Sequence, residues 1–206
     1  MRVEDLDFRV DSGVYAPAED SFLLIDAIDL NRDDVFLDVG CGAGLLTLGA
    51  AGIARRVVAT DISLKAARNT LRNLRRNGLE HPCSVMQSDL LGSIPPAALF
   101  SVIAFNPPYL PYDGTTTQMD HAFVGGVKGT EVTERFIHQA VRHLQRGGSV
   151  FVVSSSLASI KDLKNVMVNC GLHIEIVASL SIFFEKIQVL KGMQQLPRTC
   201  TSLDVL

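Results

Sequence analysis

The stretch Val35-Phe36-Leu37-Asp38-Val39-Gly40-Cys41-Gly42-Ala43-Gly44 decides the fold. A short β-prone apolar run enters a glycine-rich turn, and Leu45 to Gly52 behind it reads as a crossover helix. Glycines without a Cβ let a bulky ligand come against the backbone at that helix N-terminus. The spacing is G-x-G-x-G, and it lacks the G-x-G-x-x-G with which dinucleotide folds cradle a pyrophosphate, so it favours a smaller nucleoside cofactor. A tight strand-to-helix turn without a chemical role is the plain alternative.

Outward from this unit the chain alternates short apolar runs with helical patterns, the signature of an α/β sheet covered by helices on both faces. Val57 to Thr60 is a second strand ending at Asp61. Leu64, Ala67, Leu71 and Leu74 recur at helical spacing, closed by Asn77-Gly78. Cys83 to Gln87 and Phe100 to Phe105 read as strands three and four. Glu131 to Gln145 reads as a helix stopped by Gly147-Gly148, followed by a strand over Ser149 to Val153 and a helix ending near Cys170-Gly171. Leu172 to Ala178 and Phe184 to Leu190 lie too close together for a crossover helix, so they pair as an antiparallel hairpin. The expected result is a seven-stranded sheet, parallel except for one C-terminal strand.

Ligands of such a sheet bind at the carboxyl ends of its strands. Asp61 stands where an acid accepts hydrogen bonds from ribose hydroxyls; capping the following helix, as Asp61 or Ser63 can, is the competing role. Asp89, after strand three, is placed to accept from an adenine amine, with Leu90 against the ring. After strand four comes Asn106-Pro107-Pro108-Tyr109. Prolines fix φ and remove backbone donors, leaving aimed carbonyls that only accept. An acceptor-only cradle made by the Asn106 side-chain oxygen and the Pro107 carbonyl fits a planar NH2 group, against which Tyr109 packs.

Bulk properties bound the rest. With 206 residues, one domain is expected, and hydrophobic residues at 47% and charged ones at 20% make an ordinary globular balance. A mean hydropathy of +0.24 points to some apolar surface covered by a partner. The net charge of -3 and pI near 5.9 argue against a protein built to neutralise many phosphates. Cys41, Cys83, Cys170 and Cys200 are far apart, and with His81, His121, His138, His143 and His173 they show no metal-ligand spacing, so no metal site is expected. The start carries no signal-like segment and no apolar run is long enough for a bilayer, so a cytoplasmic protein away from membranes is expected.

The chain resembles class I methyltransferases carrying an N-P-P-Y motif, and more closely the HemK-like release-factor glutamine methyltransferases. Val14 to Phe22, Asp38 to Gly44, Asn106 to Tyr109, Ala122 to Gly126 with Lys128-Gly129, and Phe183-Phe184-Glu185-Lys186 carry the likeness. The resemblance implies a Rossmann-like fold and S-adenosyl-L-methionine as cofactor, with S-adenosyl-L-homocysteine as product. It places Tyr15, Pro17, Glu19, Ser21, Asp38, Gly40, Gly42, Gly44, Asp61, Asp89, Leu90 and Asn106 against the cofactor. It gives Asn106, Pro107, Pro108 and Tyr109 the glutamine side chain, which belongs to the Gly-Gly-Gln loop of a class I translation termination factor. Residues 1–30 form a cofactor-covering segment and helix, and 31–206 the core of one domain. Phe123 departs from the tryptophan often found there.

Without an extra N-terminal helical domain, the sequence resembles the short archaeal and eukaryotic branch, whose members work with a small zinc-binding activator subunit. The usual strand order leaves His81 to Gln87 at a sheet edge, where a partner can add a strand.

Methylation of an exocyclic amine of adenine or guanine in RNA or DNA is the rival activity. Arg68, Arg72, Arg75 and Arg76 share one helical face and are able to touch phosphates, although such a face is usually only solvated. Enzymes that flip bases also need surfaces to hold the strand, and here the core consumes nearly the whole chain, so a nucleic-acid partner is not expected. A silent cofactor-binding subunit is the second rival. Cys41 reads as a small packing residue, since no histidine signature pairs with it.

Overall fold

In the computed structural model, residues 3, 5–97, 99–111, 124–182 and 185–194 are described. Val35–Val39 (β1) and Phe100–Phe105 (β4) match the expected strands residue for residue. Every residue of β1 is buried, as expected of a central strand covered on both faces. Around them lie Arg56–Asp61 (β2), Cys83–Gln87 (β3), Leu144–Ser155 (β7), Leu172–Ile182 (β8) and Glu185–Gln194 (β9). The sheet order is β3-β2-β1-β4-β7-β9-β8. Strands β1 to β4 and β7 run parallel, and β9 runs antiparallel to both β7 and β8. The expected seven strands with one reversed member therefore fold as read, with β3 at an edge.

The helices Glu19–Ala27 (α1), Leu45–Ala51 (α2), Leu64–Arg76 (α3), Glu131–Ala140 (α4) and Ile160–Asn169 (α5) cover the sheet. Two apolar clusters fill the layers: one joins Phe105, Phe136, Ile137 and Leu163, the other Leu24, Ile25, Phe36 and Phe151. No helix of the described residues is long and apolar enough to cross a membrane.

Three expectations are corrected. The helix from Glu131 stops at Ala140 rather than Gln145. His143 donates its backbone N–H to Ala140, its ring nitrogens meet the carbonyls of Gln139 and Ile94 at 2.9 and 3.0 Å, and Leu144 already pairs with Phe100 in β7. Gly147-Gly148 therefore lies within a strand, where a Cβ on Gly148 would stand 2.9 Å from the Ser101 carbonyl. A short parallel pair, Leu110–Pro111 (β5) with Val124–Gly126 (β6), was not expected.

The third correction concerns α3, which forms as read and buries Ala67 and Leu74, but whose buried face is only partly apolar. Leu64 is 43% exposed, whereas Asn69, Thr70 and Asn73 are fully buried. The amides of Asn69 and Asn73, with that of Asn77, bind an extended N-terminal segment as rungs. Asp7, Arg9 and Asp11 donate backbone N–H groups to the side-chain oxygens of Asn77, Asn73 and Asn69 at 3.0, 3.2 and 2.7 Å. In return, the Arg9 carbonyl accepts from both Asn69 and Asn73, and the Asp7 carbonyl from Asn77.

On the outer face of α3, Arg72 pairs with Asp11 and Arg75 with Glu80. Phe123, His121, Phe183, Phe184, Cys200 and residues 195–206 lie outside the described residues.

Candidate active site

At the carboxyl ends of β1 and β4 a cleft is lined by Tyr15, Pro17 and Ser21 from the N-terminal segment and α1, by Asp38, Gly40, Cys41, Gly42 and Ala43 from the glycine loop, by Leu45 and Leu46, and by Asn106. Seven of these eleven are residues proposed from the sequence. Cys41, Ala43, Leu45 and Leu46 join them through their place in the loop and the first turn of α2, and a glycine-motif reading extended by one helical turn would have included them.

The loop is held from below by α3. Thr70 donates to the Gly42 carbonyl at 2.9 Å, and Asn73 to the Ala43 carbonyl at 2.8 Å. Gly40 has φ of 65°, and an added Cβ would sit 2.9 Å from the Phe105 ring. Both the backbone conformation and the close approach need glycine there. At Gly42, also left-handed, the nearest atom to an added Cβ is the Tyr15 carbonyl at 4.0 Å, so the missing side chain leaves room beneath the N-terminal segment.

Carboxylates dominate the electrostatics. Asp38 accepts from the Thr47 N–H at 3.0 Å and the Thr47 hydroxyl at 2.5 Å. Burial nevertheless pushes its pKa up to about 7. Asp61 accepts from the Gly42 and Ser63 N–H groups at 2.9 and 2.8 Å, while burial raises its pKa. Helix capping falls to Ser63, whose hydroxyl accepts from Ala66. The Cys41 thiol is buried beside Thr70 and pushed up by desolvation, in keeping with a packing role.

The acceptor end is organised by a residue that sequence reasoning missed. Asp20, buried at the start of α1, gathers donors from four side chains. Tyr15 Oη lies 2.9 Å from both its oxygens, Asn106 Nδ2 3.0 Å, Tyr109 Oη 3.2 Å and Ser21 Oγ 3.0 Å away, and the Ser21 N–H adds a contact of 2.6 Å. Ser21 Oγ accepts the second contact from Asn106 Nδ2 at 3.1 Å. A carboxylate and a serine oxygen turned toward Asn106 admit only its NH2 edge, which fixes which way the amide points. Asn106 Oδ1 is then left buried with no partner among the described residues. Burial, followed by the neighbouring Asp20 charge, raises the phenol pKa values of Tyr15 and Tyr109.

Several proposed residues stand outside the cleft. Glu19 is exposed on the first turn of α1. Gly44 is the left-handed N-cap of α2. Asp89 forms a 2.6 Å ion pair with Arg135 of α4, and Leu90 is buried in the core with φ of 51°. Pro107, Pro108 and Tyr109 follow Asn106 away from the loop, and the Pro108 carbonyl lies 2.3 Å from the site of a Cβ on Gly125, which ties the N-P-P-Y run to β6.

The lining fits a sulfonium nucleoside. It offers a carboxylate, backbone left bare by glycine and no Lys or Arg among the described residues, an environment suited to a cation. The orphaned Asn106 oxygen calls for a donor that the described residues do not supply.

The methyltransferase small domain family matches residues 5–176 of the chain. A protein of Methanocaldococcus jannaschii, provisionally named as a protein N5-glutamine methyltransferase, is 34% identical over 197 residues, covering 93% of this chain and 98% of its own. The release factor glutamine methyltransferase of Rhodopirellula baltica is 31% identical over 170 residues, which are 74% of this chain and 57% of its own. Among solved structures, a chain of the E. cuniculi Mtq2-Trm112 complex, which methylates the eRF1 translation termination factor, aligns with a TM-score of 0.68 and 26% identity over 89% of this chain and 99% of that one.

Proposed function

The chain belongs to the methyltransferase small domain family, and within it we propose a protein-glutamine N5-methyltransferase acting on the glutamine of the Gly-Gly-Gln loop of a class I termination factor. The names borne by its relatives from Methanocaldococcus jannaschii and Rhodopirellula baltica support this reading, as does the activity of the E. cuniculi complex. One observation carries it: Asn106 presents a buried oxygen with no partner among the described residues, while Asp20 and Ser21 hold its NH2 edge.

S-adenosylmethionine, when bound, supplies an electrophilic methyl group. The chain's own residues supply place and direction. Gly40, Gly42 and Asp38 take the cofactor's backbone-hugging, cationic end. Asp61, Asp89 and Leu90 take its ribose and adenine. Asn106 Oδ1 accepts one N–H of the target amide and the Pro107 carbonyl the other, which turns the nitrogen lone pair toward the cleft. Tyr109 packs along the amide plane. Alignment of this kind reaches effective molarities of about 10⁵ M, roughly 7 kcal/mol of barrier, so no general base is needed.

A small zinc-binding subunit pairs along the free edge of β3 in this proposal, by strand addition beside Cys83–Gln87. The Trm112 subunit of the aligned complex is the precedent for such an assembly. The protein works where termination factors do, in the cytoplasm.

The deciding experiment gives the protein, alone and with its candidate partner, labelled S-adenosylmethionine together with a termination factor or the Gln→Ala variant of its loop. Label on the wild-type factor alone is expected. Equal labelling of both factors would overturn the assignment of the acceptor.

A further inference from the structure

Asn106 Oδ1 is not alone as a buried acceptor without a donor. Four buried side-chain polar atoms lack a hydrogen-bond partner among the described residues: Thr60 Oγ1, Asn106 Oδ1, Glu185 Oε1 and Gln194 Oε1. Gln194 lies at the far end of β9, and Thr60, level with Phe105 through Val39, lies two strands from β4 on the cofactor side of the sheet. Glu185 is different, because it lies on the other side of β4, between Ile182 and Ile187, which share an apolar cluster with Tyr109.

It opens β9 and pairs with Ile182, the last residue of β8. Ile187, two residues on, pairs with Ser155 of β7, and β7 runs parallel to β4, the strand that ends just before Asn106. Tyr109 packs into the same apolar cluster as Ile182 and Ile187, the residues flanking Glu185. The Glu185 charge is also among the causes that raise the Tyr109 phenol, after burial and Asp20. A buried acceptor without a donor is destabilising, and folded chains keep few of them. A second one, carried by the strand pair against which Tyr109 packs, marks where an N–H-bearing ligand belongs.

We propose that Glu185 is a substrate-binding residue, whose Oε1 accepts a hydrogen bond from a backbone N–H of the polypeptide next to the target glutamine. Asn106 then fixes the reacting amide and Glu185 the chain that carries it. The inference deepens the function proposed above and rests on it. Peptide N–H groups are the fitting donor because both atoms, Asn106 Oδ1 and Glu185 Oε1, are oxygens, and glycine neighbours leave room for the backbone to approach them.

The test measures binding of a fluorescent cyclic peptide carrying Gly-Gly-Gln to the protein loaded with S-adenosylhomocysteine, alongside steady-state methylation of the termination factor. Glu185→Ala should raise the peptide Kd and the protein-substrate KM by about tenfold or more, one lost hydrogen bond to a charged acceptor. Glu185→Gln, which keeps a carbonyl oxygen at the same place, should recover most of that loss. Affinity for S-adenosylhomocysteine should stay within about twofold in both.

Replacing each glycine of the peptide by sarcosine removes one N–H at a time. One of these peptides should bind the wild type weakly yet lose nothing further on Glu185→Ala, the non-additivity of a direct pair. Additive losses, or an unchanged peptide Kd in both folded variants, would overturn the proposal. A wild-type protein that neither binds the peptide nor labels the factor would instead overturn the underlying function. Circular dichroism and melting of each variant separate lost binding from lost folding, and Glu185→Gln, of equal size, reads the proposal if Glu185→Ala does not fold.

Discussion

The two ends of the cleft are made of different materials. The cofactor end is backbone: three glycines within five residues, tied to α3 by Thr70 and Asn73. The acceptor end is side chain: Asp20 reaches Asn106 and Tyr109 across 86 and 89 residues of sequence. A bare backbone cradle tolerates substitution around it as long as the glycines stay. The Asp20 network is only as good as its worst-placed member, since a donor or acceptor left over inside it is costly. Binding and methyl transfer should therefore separate on mutation.

Asn106→Ala should separate them most. Methyl transfer is expected to fall by about 10³-fold, the scale seen when a positioned polar group is removed from a reacting centre. Cofactor affinity should stay within a few-fold by calorimetry. Parallel loss of both would mean that the two ends are one site. Asp20→Asn comes next: it keeps size but offers an NH2 group to Tyr15, Tyr109 and Asn106, all of them donors toward Asp20. We expect kcat down by about 10²-fold through a turned Asn106 amide, with the KM for cofactor changed far less, and Asp20→Glu recovering part of the rate. If kcat were untouched, Asp20 would be a packing residue.

A third, smaller effect belongs to the cofactor end alone. Asp38 has a folded pKa of about 7 against 3.8 in the unfolded chain. Between these values the native state holds a proton that the unfolded state has released, so apo stability falls as pH rises through that window. Melting of the apo protein should show this slope, and Asp38→Asn should flatten it. A cationic cofactor favours the ionised form, so its affinity should climb by up to about tenfold from pH 6 to pH 8. A flat affinity profile would remove Asp38 from the binding of that charge.

This contrast also explains what was legible beforehand. β1 and β4 were read to the residue because they are apolar apart from Asp38 and Ser101 and end at glycine or at Asn106-Pro107. Asn106 and the glycine loop announced themselves by local spacing. The helix from Glu131 was read too long because Val141 and Leu144 continue its apolar pattern, and only the His143 contacts with Gln139 and Ile94 mark the turn. Nor does hydrophobic periodicity find α3's asparagines, whose partners are backbone groups of the N-terminal segment. Asp20 sat within the Val14 to Phe22 stretch, yet its partners Asn106 and Tyr109 become neighbours only after folding.

Those asparagines act as a ruler. They recur every four residues on α3, about 6.0 Å of helix, while the strap they hold advances two residues per rung, about 6.7 Å of extended chain. The two scales drift apart by about 0.7 Å per rung, which three rungs absorb and many more would not. Sliding the strap by one rung would leave an asparagine without its peptide and carry Tyr15 nearly 7 Å along the helix. The register of Asp7, Arg9 and Asp11 thus meters out the length of chain that arrives at Asp20.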